Sequence, residues 1–354
     1  MLFVTDTESA AWRSATDLAA AKNLGPDDIN VETRSNLWTA MCFYVGATLT
    51  ARGNGDLGMA WLSAGAMREE QGVFTNAYLT AFLSRHENRL AMPVVCFADP
   101  RPYVHFTTVP AMVTARTNLV KHFVDTLPRF TKPFRMMDIG CGDGSLTAWL
   151  LRDLRDAGKI GDISEILLVD SSQAMLDLAR VTLEKEHPAN VIHTLTKRIE
   201  ETTEQPGTHF DVAVASLAYH HMPLETKRRR LTALKPAIDH YFLFELNGNH
   251  DAPEAQSPEL AFSLYQTYGR MMDFVFAHDA PVDVVLTCID NFWMTELVSF
   301  LTQPRGVRTD YHMLRSEWMA LFEETLTPEF SRLSDSTCWG DEYLELFSMH
   351  YGRK

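Results

Sequence analysis

The stretch Met136 to Leu146, MMDIGCGDGSL, constrains this 354-residue chain more than any other. Apolar residues lead into Asp138, glycines at 140, 142 and 144 punctuate a turn, and Ser145 opens an amphipathic run, LTAWLLRDL, with helical spacing. Strand, glycine turn and helix therefore follow in order. Gly140 and Gly142 let the backbone take positive φ and leave no Cβ where another group must approach closely.

The segment SEILLVDSSQAMLDLAR (164–180) repeats the logic one unit later, with a buried apolar run, a terminal Asp170 and a helix. In a doubly wound fold the first turn brings main-chain N–H groups and a helix N-terminus to face a ligand. Asp170 lies where such a fold puts the acidic residue that accepts hydrogen bonds from ribose hydroxyls, so the two sites belong to one nucleoside pocket.

DIGCGDG followed by LLVDSS resembles the first two motifs of the class I S-adenosylmethionine-dependent methyltransferases. The glycines give GxGxG rather than the GxGxxG spacing usual in dehydrogenases, with an acidic residue two before the first glycine, which favours the methyl donor over NAD. The resemblance implies a Rossmann-like α/β sheet of seven strands with the last antiparallel, and S-adenosylmethionine as cofactor with S-adenosylhomocysteine as product. It implies a donor-binding set of Asp138, Gly140, Cys141, Gly142, Asp170, Ser171, Met175, Arg198, Ile199, Ser216 and Leu217. Arg198 stands where the family commonly has Asp, and Ile199 is expected to pack on the adenine. The helix before the first strand closes one side of the pocket in this family, so Arg116 or Asn118 is expected to meet the donor's carboxylate.

The rest of the chain supports that core. Expected strands at Asn190–Leu195, Phe210–Ala215 and Tyr241–Leu246 alternate with a helix at Glu225–Ile238, which argues for a parallel sheet with ligand-binding loops along one edge. The helix RSEWMALFEETL, capped at Ser316, then leads to two closing strands, FSRLSD and EYLELFSMHYGR. Helical runs at Ser9–Ala21, Leu37–Thr50, Leu57–Glu70 and Asn76–Leu83 form a separate N-terminal module, followed by a proline-containing connector over Phe97–Pro110. Between 252 and 309, Ser257 caps a helix with Pro258 at its first position, and the aromatic-rich segment reads as an inserted helical lid. The expected division is thus 1–110 as a helical, possibly dimerising domain, 111–251 with 310–354 as the core, and 252–309 as the lid. The phrase REEQGVFTNAYLTAFL is similar to the end of the winged-helix dimerisation domain of many O-methyltransferases, which implies a homodimer; a plain helical cap over the substrate is the alternative.

A net charge of −14 argues against nucleic acid or an anionic membrane as partner and for a small-molecule acceptor. The basic cluster Lys227–Arg230 reads as a solvated helix face. The uncharged stretch Ser35–Ala51 reads as a buried helix. Five scattered cysteines without CxxC spacing imply neither a disulfide framework nor a zinc site, and Cys141 is expected to pack rather than react. With no basic-then-apolar leader in MLFVTDTESAAW, a cytoplasmic location is expected.

For chemistry, His220 and His221 fall after the fourth strand, on the edge that faces the donor, and an imidazole titrates near neutrality. Natural-product and plant-type O-methyltransferases carry His-Asp-Trp in a similar place, where the His is the base. His220-His221-Met222 resembles it, with His for Asp and Met for Trp. Many class I enzymes instead carry a His there with a structural role. Glu245 is expected to orient such a histidine or a substrate group, as an acidic residue in the corresponding strand does in those O-methyltransferases. His250 and Asp251 lack a third ligand at a recognisable spacing, so no metal is assigned. Three functions follow: O-methylation of a small, partly apolar metabolite with His220 or His221 as base; N-, S- or C-methylation by proximity alone; or a non-catalytic nucleoside binder or protein-directed regulator.

Overall fold

The computed structural model describes residues 3–70, 72–93, 99–201 and 208–354. The chain divides into two compact units: residues 1–96, 248–310 and 342–344 form the first, and 97–247, 311–341 and 345–354 the second. The inserted segment therefore clusters with the N-terminal helices, while residues 97–110 go with the sheet.

The regular elements of unit 1 are all helices among its described residues. It holds α1 (Asp6–Lys22), α2 (Trp38–Ala51), α3 (Gly55–Ala66), α4 (Thr75–Arg85) and the insert. The wing hairpin that a winged-helix domain would need is absent from these residues. α2 is buried on every side, as its uninterrupted apolar sequence requires. The long helix of the insert, spanning Pro258–Ala277, starts as expected: Ser257 Oγ accepts from Leu260 N at 3.1 Å, with Pro258 following. Its aromatic stripe packs into the N-terminal helices, Phe262 on Trp12 and Tyr265 on Phe43. The aromatics of the insert are thus mostly core. Residues 282–302 are long and apolar enough to cross a membrane, but 61% of that run is buried inside the unit.

Unit 2 opens with α5 (Arg101–Thr108) and α6 (Pro110–Thr126). The first of these corrects the connector expected over Phe97–Pro110, of which Phe97 and Ala98 lie outside the described residues. Pro100 and Pro102 sit at the helix start, where proline fits, and Pro110 ends it by forcing Val109 into an extended conformation (φ −63°, ψ 142°). Then come β1 (Phe134–Ile139), α7 (Ser145–Asp156), β2 (Ile163–Asp170), α8 (Gln173–Leu183), β3 (Ile192–Thr196), β4 (Phe210–Ser216), α9 (Leu224–Leu234), β5 (Ile238–Leu246), the helix Arg315–Leu326, β6 (Phe330–Gly340) and β7 (Glu345–Arg353).

The strands form a seven-stranded sheet in the order β3-β2-β1-β4-β5-β7-β6. β1 to β5 run parallel, and β7 pairs antiparallel with both β5 and β6. The reversal between β1 and β4 opens a crevice at the carboxyl ends of those strands, the place where doubly wound sheets bind ligands. Two local expectations change. The helix Arg315–Leu326 is capped at Leu314, whose N–H donates to Glu317 Oε2 at 2.8 Å, rather than at Ser316. The basic cluster is not a solvated face: Lys227 and Arg230 are buried, Lys227 donating to Tyr311 O and lying 4.8 Å over the Trp318 ring, while Arg228 bridges Glu225 and Glu324. Their alkyl stems fill apolar space beside the sheet, a role charge counting cannot see.

Candidate donor and acceptor site

β1 ends at Ile139 and the chain turns through Gly140, Gly142 and Gly144, all at positive φ. A Cβ on Gly140 would come within 2.4 Å of Ala218 Cβ, and one on Gly142 within 2.5 Å of the Tyr103 hydroxyl. The first glycine lets the turn pass the end of β4, and the second lets α5 close on it. Asp170, at the end of β2, accepts from Gly142 N at 3.1 Å and Ser172 N at 2.8 Å, which ties the second motif to the first. Burial raises its carboxyl, against these hydrogen bonds and the pull of nearby His221.

Asp138 is almost fully buried, and one carboxylate oxygen accepts from Thr147 Oγ1. The other, Oδ1, has no hydrogen-bond partner among the described residues. Burial pushes this carboxyl up to about 6. An orphaned buried acceptor costs on the order of 1–3 kcal/mol unless a ligand satisfies it. It faces a pocket also lined by Tyr103, Met112, Arg116, Gly140, Cys141, Ser216, Leu217 and Phe244. Arg116 donates to Ser145 Oγ at 2.8 Å, and Ser145 in turn to Asp143 at 2.6 Å. A cation and an acceptor so placed suit the carboxylate and ammonium of an amino-acid head group, and Asp170 suits ribose hydroxyls. The residues present therefore fit S-adenosylmethionine.

Leu217 supplies a signal that sequence does not carry: φ is +49°, rare for a branched side chain. Its N–H donates to Phe244 O at 2.8 Å, which fixes the strained residue at the end of β4 beside the pocket. Such outliers concentrate at functional sites.

The rest of the expected set is spread more widely. Cys141 is buried in the turn and its thiol is raised by that burial. Met175 is a core residue of α8. Ser171 is exposed. Arg198 pairs with Glu200 at 2.6 Å in the open, while Ile199 lines a separate cavity of about 270 Å³ with Met137, Val169 and Phe210. Asn118 turns away from the pocket, donating to Cys338 O at 2.7 Å. The α5 residues Tyr103, Phe106 and Thr107 were missed. Their i, i+3, i+4 spacing between two proline signals is the trace that reveals them.

After Leu217 the chain makes a short turn carrying His220 and His221. Glu245, at the end of β5 and fully buried, accepts through Oε1 from the N–H groups of Ala218, Tyr219 and His220 at 3.2, 3.0 and 3.2 Å. Its Oε2 lies 2.8 Å from His220 Nδ1. An ionised carboxylate only accepts, so Nδ1 carries the proton and Nε2 keeps a lone pair in the neutral ring. The His220 ring stacks on His312 at 4.1 Å and 25°, and Tyr311 N donates to His220 O. The donor atoms of His220, Glu245 and His312 lie within 4.8 Å of one another. His221 is only half-buried. In unit 1, His250 lies 3.2 Å from Thr267 Oγ1 and Asp251 pairs with Arg305 at 3.5 Å, so those two side chains have separate partners. Asn247 braces the sheet, bonded to Glu345 and to Arg315 N.

Comparison with known proteins agrees with this geometry. Residues 137–239 match the family model described as a methyltransferase domain. No curated protein matches the sequence significantly. Among solved structures, rice (Oryza sativa) SCL7 shares the fold with a TM-score of 0.60 at 15% identity, covering 87% of this chain and 99% of that one. An S-adenosylmethionine-dependent methyltransferase from Mesorhizobium loti gives 0.42 at 17% identity, covering 68% and 98%. Magnesium protoporphyrin IX methyltransferase from Synechocystis PCC 6803, solved with bound S-adenosylmethionine, gives 0.39 at 12%, covering 74% and 100%. Residues 137–239 are thus similar to a methyltransferase domain, and the sheet order and the donor pocket built around them agree with that match.

Proposed function

We propose that this enzyme methylates an oxygen of a small, partly apolar metabolite, with His220 as general base and Glu245 as the carboxylate that orients it. The observation that carries this reading is the His220 Nδ1 to Glu245 Oε2 pair at 2.8 Å, at the carboxyl ends of β4 and β5. Bound S-adenosylmethionine supplies a methyl group already activated on a sulfonium. What the chain adds is alignment of the acceptor and removal of its proton. Glu245 holds the imidazole in the tautomer whose Nε2 accepts a proton, and it stabilises the imidazolium that results. The three backbone N–H groups on Oε1 fix the carboxylate in place.

A second reading has support of its own: Tyr311 N donates to His220 O, and the His220 ring lies stacked on His312 and tilted against His221, which suits a histidine that only holds its turn. Proximity alone would then serve an N, S or C acceptor. A panel of phenols, carboxylates, amines and thiols tested with labelled donor separates the two. A base gives a kcat that rises with pH through one group near neutrality and loses that dependence in His220→Ala; a holding role gives a flat profile in both proteins.

A further inference from the structure

We propose that α5 gates the donor site: Tyr103 stands in the room that the methionine half of S-adenosylmethionine requires and must leave it for the donor to bind. The inference rests on the donor pocket described above. With Tyr103, Phe106 and Thr107 forming one wall and Asp138, Gly140 and Cys141 the other, the space left between them is about 20 Å³. That is room for about one water and far too little for an amino-acid head group. The Tyr103 ring rests directly on the glycine turn, its Oη, Cζ and Cε1 lying 2.5, 2.7 and 2.8 Å from the position of a Cβ on Gly142. Gly142 is thus committed to contact with α5 as well as to its own turn. The groups that suit the head group, Arg116 and the orphaned Asp138 Oδ1, line this same space.

The connection to the rest of the unit suits movement of α5 as a body. A single extended residue, Val109, is both the end cap of α5 and the start cap of α6, and Pro110 keeps the two helices from fusing. A rotation about Val109 carries Tyr103, Phe106 and Thr107 off the pocket together and leaves α6, with Arg116, in place. Because binding then requires a conformation in which the phenol is withdrawn, the apparent affinity is reduced by the fraction of molecules that are open.

The test is stopped-flow binding of S-adenosylhomocysteine to the full chain, followed by tryptophan fluorescence. For the native protein and Tyr103→Phe, which keeps the ring, the observed rate should level off as ligand concentration rises, because opening limits entry. For Tyr103→Ala it should rise linearly and faster, with affinity unchanged or tighter. Tyr103→Leu serves in its place if the alanine variant melts early. Equal concentration dependence in the native and truncated proteins would overturn the gate. So would a tenfold or greater loss of affinity at an unchanged association rate, which would make Tyr103 a wall on which the ligand rests. Failure of the native protein to bind S-adenosylhomocysteine at all would instead contradict the donor site itself.

Discussion

At the carboxyl ends of β4 and β5, His220 is buried against the carboxylate of Glu245; farther along the same sheet, His350 of β7 is buried just as deeply against other histidines and hydroxyls. His350 Nε2 lies 3.0 Å from His240 Nδ1 and its Nδ1 2.9 Å from Thr126 Oγ1, while its ring stacks on Phe242 at 4.0 Å. His122 completes this group, bonded to Ser348 and Ser334 at 2.5 and 2.6 Å. Burial lowers all three, and the neighbouring histidines add to it at His350, which is pushed down to about 2. The difference lies in the partner. A carboxylate offers a place for a proton's charge, whereas hydroxyls and neutral imidazoles do not. On the proposed reading the first group gains a proton during the reaction, whereas the second stays neutral and holds β5, β7 and α6 together.

The contrast breaks first, and most visibly, in turnover. Glu245→Gln keeps an acceptor for the backbone N–H groups but presents an amide to His220, so the tautomer reverses and Nε2 loses its lone pair. With an O-acceptor, kcat should fall by about 10²- to 10⁴-fold in Glu245→Gln and in His220→Ala alike, with donor affinity nearly unchanged. Full activity in either would remove the catalytic half of the comparison.

The structural half is tested by stability. His350→Phe fills the space but strands His240 and Thr126, and urea unfolding near pH 8 should show a loss of about 1–3 kcal/mol. His350 has a folded value far below its unfolded value of 6.5. As pH falls below 6.5 the unfolded chain takes up a proton that the folded chain refuses, so the native protein loses ~1.4 kcal/mol per pH unit at this residue. The phenylalanine variant is spared that loss, and the gap between the two should narrow steadily toward acid. A gap that stayed constant would mean that His350 is protonated in the fold. Asp138 acts in the opposite sense, since a carboxyl raised to about 6 makes the fold bind a proton more tightly than the unfolded chain. The comparison of variant with native cancels that contribution.

The smallest effect sharpens the comparison within the pair. His221 is half-buried and near Asp170, and on the reading that puts the base at His220 it is not the proton acceptor. His221→Ala should change kcat by within about threefold, or ~0.7 kcal/mol. A loss matching that of His220→Ala would show that the two imidazoles act as one unit.

The glycine turn and its tie to Asp170 were legible because they are written in backbone terms. Glycines at 140, 142 and 144, and acids at the ends of β1 and β2, are demands of turn geometry and hydrogen bonding that leave a local trace. The alternation of strands and helices was legible for the same reason, including the antiparallel finish. What sequence hid depends on contacts distant along the chain. The choice between His220 and His221 turns on Glu245, 25 residues away from His220. The burial of Lys227 depends on Tyr311 and Trp318. The helix α5 was obscured by its prolines, which read as loop signals until their positions at a helix start and just past its end are recognised. The φ of Leu217 left no trace, because nothing in a leucine announces a left-handed backbone.

The most direct test of the donor site is calorimetric titration of the intact protein with S-adenosylmethionine, S-adenosylhomocysteine and NAD, beside an Asp170→Ala variant. Micromolar binding of both sulfur nucleosides, lost in the variant and absent for NAD, is the expected result. Binding of NAD alone, or of the sulfur nucleosides with equal strength to the variant, would contradict the assignment.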